Sequence, residues 1–153
     1  MNETAFSAYL QLLQQLTHVL EELTAIEEEK TRAVCQDDLA GLGECMKQEQ
    51  AQTLALRGLD RKREAALSEM GVAGAPLSAI GTWAPAHLRL EAKRVAEELR
   101  RQYELFRGAA DVARDTLEIN LHQVEKMLEK LDAETADGFE PELPSRMRTD
   151  FKA

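Results

Sequence analysis

Phe6, Leu10, Leu13, Leu16, Leu20 and Leu23 recur at steps of three and four, the spacing that lines one face of a helix. The rhythm fades through AIEEEKTRAV, where Ile26 and Val34 stand isolated among charges, and the segment meets CQDD. A first helix over about 4–34 is therefore expected, with Asp37 able to cap the next by accepting a backbone N–H from its first turn. Leu39, Leu42, Met46, Thr53, Leu56, Leu67 and Met70, with Leu59 close to the same face, predict a second helix over about 37–70. Gly71 ends it, since glycine enters the left-handed region without a Cβ penalty. The stretch GVAGAPLSAIGTWAPA interrupts the pattern as a connection, with a short turn of helix expected around Leu77–Ile80. After Pro85 the pattern returns and is sustained: Ala92, Val95, Leu99, Gln102, Phe106, Ala109, Ala113, Thr116, Asn120, Val124, Met127 and Leu131. Over about five heptads this is a coiled-coil seam, predicting a third helix over about 86–132. From Ala133 the pattern is lost, and 133–153 reads as a flexible tail.

No stretch alternates β-branched and aromatic residues as a strand does, so the chain is expected to be all-α. Its architecture is an elongated antiparallel three-helix bundle or coiled coil, with a long third helix that overhangs its partners. One helical domain, 1–132, precedes the tail. Near its end the third helix carries Leu117, Ile119, Leu121, Val124, Met127, Leu128 and Leu131, more apolar surface than one seam uses. Such a surface receives an amphipathic partner helix. The alternative is that it closes the bundle or a homodimer, as in a structural coiled-coil adaptor. Two seam positions, Gln102 and Asn120, put amides where apolar groups pack better. Polar seam residues fix register, although Asn120 could also hydrogen-bond the backbone of a bound partner.

Charge and composition narrow the function. With 28 acidic against 19 basic residues the net charge is −9, the wrong sign for a nucleic-acid binder. No apolar run is long enough to span a membrane. The N-terminus lacks the basic start and unbroken apolar core of a signal peptide. Cys35 and Cys45 are read as free thiols of a reduced cytoplasmic chain. His18, His87 and His122 are far apart, without the spacing of a metalloprotease helix, and the cysteines match no common zinc pattern. No catalytic constellation, metal site or cofactor site is expected.

The basic triplet Arg61, Lys62 and Arg63 is the one local contrast to the acidic balance. Arg61 and Lys62 point away from the leucine face, with Asp60 and Glu64 alongside. Arg63 falls four residues after Leu59 and four before Leu67, on the apolar face itself. Its stem is expected to pack there while the guanidinium reaches an acid at the bundle edge.

Glu29, Asp37, Leu39, Leu42, Gln48, Leu56, Leu59, Arg63, Leu67 and Gly71 stand where the FlgN-like flagellar export chaperones carry similar residues. A long final helix with an asparagine in its later half, here Asn120, and the tail SRMRTDFKA are also similar to that family. The resemblance implies a cytoplasmic chaperone of the flagellar type III export system. Such a chaperone binds the C-terminal amphipathic helices of hook-associated (hook–filament junction) proteins, prevents premature assembly, and presents its cargo to the export gate. Cargo contacts are then expected at Leu117, Asn120, Leu121, Val124, Met127, Leu128 and Leu131. Family members dock on the gate through a tail aromatic. This tail has no tyrosine, which leaves Phe139 and Phe151 as the candidates.

Overall fold

The leucine stripe of the first segment becomes the inner face of helix α1 (Glu3–Cys35). Phe6, Leu10, Leu13, Leu16, Leu20 and Leu23 are all buried. The computed structural model describes residues 3–135. They form α1, α2 (Leu39–Glu69), α3 (Ile80–Trp83) and α4 (Arg89–Thr135), with 3-10 turns at Leu77–Ala79 and Ala86–Leu88. No strand occurs among the described residues, and the fold is all-α. The chain divides into two compact units, Met1–Ala113 and Arg114–Ala153. Helix α4 continues to Thr135, three residues past the expected boundary at 132, and the rest of the expected tail lies outside the described residues.

Within the first unit α2 returns antiparallel along α1, placing Glu49 beside Lys30 and Leu59 beside Val19. The early part of α4 then packs against α1. Ala92, Val95, Leu99, Gln102 and Ala113 are buried, as their seam spacing predicts. Gln102 donates from Nε2 to Thr24 Oγ1 at 3.1 Å, and Thr24 in turn donates to the Leu20 carbonyl. A buried amide that meets a specific hydroxyl fixes the register of α4 on α1, because a shifted register would leave it unsatisfied.

The α1–α2 junction corrects one expectation. Asp37 does not cap α2; it occupies the left-handed region at φ 54°. The Asp38 N–H bonds the Ala33 carbonyl at 2.8 Å and the Asp37 N–H bonds that of Val34 at 3.2 Å, a Schellman closure of α1. Asp38 is the cap, accepting from the Gly41 N–H at 2.9 Å. A Cβ on Gly41 would lie 2.3 Å from the Asp38 carboxylate, so the capping geometry depends on glycine there. The other end of α2 closes in the same way. Gly71 sits at φ 74°, and the Val72 and Gly71 N–H groups bond the Leu67 and Ser68 carbonyls.

The inner face of α2 differs from its leucine spacing. Leu39 is 81% exposed and Met46 49%, while Cys45, absent from the expected stripe, is buried. The face that meets α1 includes Cys45, Glu49, Leu56, Leu59, Arg63 and Leu67, with charged groups among the apolar ones. Ile26 and Val34 are buried as well, so the inner face of α1 runs on through the charged stretch. There Glu27 and Lys30 occupy two inner positions. Lys30 Nζ lies 3.2 Å from Glu27 Oε2 and 2.6 Å from Glu49 Oε2. Burial, then the neighbouring Glu49 carboxylate, push the Glu27 carboxyl up to about 7 against the pull of Lys30. The hydrogen bond with Glu27 holds Glu49 below its ordinary range. Burial disfavours the Lys30 charge, but its bonds to Glu49 and Glu27 outweigh that and raise its pKa.

Arg63 behaves as its position predicts. It is half-buried, its Nε donates to Asp60 Oδ1 at 2.9 Å, and its guanidinium also reaches the Tyr9 hydroxyl. Tyr9 belongs to an aromatic cluster with Phe6 and Trp83, the Phe6 and Trp83 rings meeting edge-to-face at 5.5 Å. That cluster anchors the connector to the start of α1.

Candidate functional site

The second unit contributes the stretch of α4 from Arg114 to Thr135. None of its residues is buried. Leu121 is 50% exposed, Met127 65% and Leu131 52%, while Leu117, Asn120, Val124 and Leu128 are half-buried. Helical geometry brings the expected contact residues together. At about 100° per residue, Leu117, Leu121, Val124 and Leu128 fall within some 60° of one another. Leu131, Asn120 and Met127 widen the arc to about 120°, the breadth of an apolar stripe that faces a partner. Ile119, 62% exposed, is the exception and lies on the opposite side of the helix.

The stripe holds one polar group within the arc, the Asn120 amide. Its other members are aliphatic side chains and a thioether, so its chemistry is burial of apolar surface rather than proton or group transfer. A second copy of such a stripe, or any helix with matching side chains, completes a knobs-into-holes interface with it. Phe139 and Phe151, the aromatic candidates for gate docking, lie outside the described residues.

The other sequence candidates resolve simply. Cys35 and Cys45 are both free, and burial first, then the nearby Glu29, push the Cys45 thiol up. His18 lies beside Glu21 and Glu22 on an exposed face, and His87 beside Glu3. No cluster of metal-ligating side chains occurs among the described residues, and no described helix is long and apolar enough to cross a membrane.

A family model described as FlgN protein matches residues 1–138. It therefore takes in both the bundle and the stripe. No curated protein and no solved structure gives a significant match to the chain.

Proposed function

Because this chain belongs to the FlgN family of flagellar export chaperones, we propose that its α4 stripe holds the C-terminal amphipathic helices of hook-associated proteins. The observation that carries the reading is the stripe itself, Leu117 to Leu131, gathered on one arc of a helix with none of its members buried. A cargo helix with an unpaired apolar face aggregates or polymerises until that face is covered. Laid along the stripe, it completes a small helical bundle and is kept from assembling early. The chaperone then acts in the cytoplasm and delivers its cargo to the export gate, with Phe139 or Phe151 as the docking aromatic.

Release has to be easy, which sets the strength of the interaction. An affinity from micromolar to tens of nanomolar, about −8 to −10 kcal/mol, suits a complex that must come apart without a nucleotide-driven step. Val124 and Leu128 lie at the centre of the arc and are half-buried. Val124→Asp or Leu128→Asp is expected to weaken binding of a purified hook-associated protein by at least about a hundredfold in calorimetry. Helical content by circular dichroism should stay within error of the parent chain. Unchanged affinity in both variants would remove the stripe from the cargo site.

A further inference from the structure

We propose that the junction end of the α1–α2 hairpin opens as a unit separate from the leucine core, with Glu27, Lys30 and Glu49 as its pH-sensitive latch. The continuous apolar core ends at Leu23 on α1, at Leu56 on α2 and at Phe106 on α4. Beyond it Ile26, Ala33, Val34, Cys45 and Ala113 are buried without joining it. All but Ile26 are small, so this end holds little of the apolar burial that keeps helices together. Segments with few buried apolar contacts open at a lower free energy than the whole molecule.

The latch lies where the core stops. Lys30 Nζ joins a carboxylate from each helix, Glu27 of α1 at 3.2 Å and Glu49 of α2 at 2.6 Å. Two carboxylates thus share one ammonium in a site that water screens poorly. With Glu27 protonated the cluster is neutral, and its carboxyl hydrogen-bonds Glu49 across the helix pair. With Glu27 ionised the cluster holds a net charge of −1 and sets like charges on facing helices. Among the described residues Lys30 and Glu49 are the titratable groups that act on Glu27. Glu29, Asp38 and Glu44 bear on the nearby Cys45, so the end beyond the latch is acidic as well. The closed end binds the Glu27 proton more tightly than the open end, so opening becomes easier as pH rises. A carboxyl at about 7 when closed and 4.5 when open gives about a tenfold rise in the opening constant from pH 6 to pH 8.

The test is amide hydrogen exchange of the full chain, read by mass spectrometry at pH 6 and pH 8. Rates are expressed as protection factors, which divide out the intrinsic pH dependence of exchange. Residues 28–35 and 43–50 are expected to be at least about tenfold less protected than residues 10–23 at both values. Their protection should fall about tenfold between pH 6 and pH 8. Glu27→Gln should hold them at pH 8 to the protection they have at pH 6. Glu49→Gln removes a group that raises the Glu27 carboxyl, and should move the loss to lower pH. Circular dichroism verifies that both variants fold. Equal protection of junction and core would make the hairpin a single unit and overturn the proposal. So would a parent chain whose junction protection does not change with pH. A tenfold loss that persists in Glu27→Gln would assign the pH dependence to another group and remove the latch.

Discussion

Glu27 is an ionisable residue carried into the interior of the helical bundle. It sits 5% exposed on the inner face of α1, with Lys30 and Glu49 as its charged neighbours. Its carboxyl titrates near 7 in the folded protein against an ordinary value of 4.5. The folded state thus holds a proton that the unfolded chain releases, and stability falls as pH rises from 4.5 towards 7. Glu49, held below its ordinary value, contributes in the opposite sense, and that contribution is lost as pH falls below the ordinary carboxylate range. Urea unfolding at pH 5.5 and pH 8 should therefore give the parent chain about 2 kcal/mol less stability at the higher pH from Glu27. Glu27→Gln should flatten that difference. A parent chain with equal stability at both values would mean that Glu27 is ionised throughout. Asp37 offers a second test. Its φ of 54° strains a residue with a Cβ, and its carboxylate stands at the C-terminal end of the α1 dipole. Asp37→Gly should stabilise the protein by about 0.5–1 kcal/mol in the same assay. Neither site was legible in the sequence. Glu27 and Lys30 look like one more solvated run of charges, and Asp37 and Asp38 differ only in which of them closes α1.

At the scale of elements, legibility followed how strictly each helix keeps its apolar period. The stripe of α1 from Phe6 to Leu23 and the α4 seam positions Ala92, Val95, Leu99, Gln102 and Ala113 were readable from spacing alone, whereas Tyr9, Thr17 and the inner face of α1 beyond Leu23 were not, and Phe106 and Ala109 of the seam are only half-buried. Even Gln102, polar on an apolar seam, fits as a register device once Thr24 is seen opposite it. Helix α2 was legible in extent but not in phase. Its leucines are spread around the helix, and groups such as Glu49 and Arg63 face inward with partners that only the fold provides. The candidate stripe was legible for the same reason as the core, since helical spacing alone gathers Leu117, Val124 and Leu128 on one arc.

The whole molecule is a chain of 17.1 kDa with an all-α first unit and a stripe that the second unit leaves available. Its likeness to export chaperones was visible in scattered residues, and the match to the FlgN family over 1–138 gives that likeness its extent. A chaperone that offers the stripe to cargo should be monomeric when free. Light scattering at tens of micromolar is expected to give the mass of one chain. A dimer that persists on dilution would mean that a second copy covers the stripe, and the homo-oligomeric adaptor would become the better reading. The α1–α2 junction has a consequence of its own for how such a chain can evolve. Asp38 ends one helix and begins the next, so the turn contains no spare residue in which a length change could be absorbed. A single inserted residue would rotate α2 by about 100° about its axis. That rotation carries Glu49 away from Lys30 and Arg63 away from Tyr9 in one step. Length variation in this hairpin is thus confined to whole turns or to the connector after Gly71, and the junction acts as the indexing pin of the bundle.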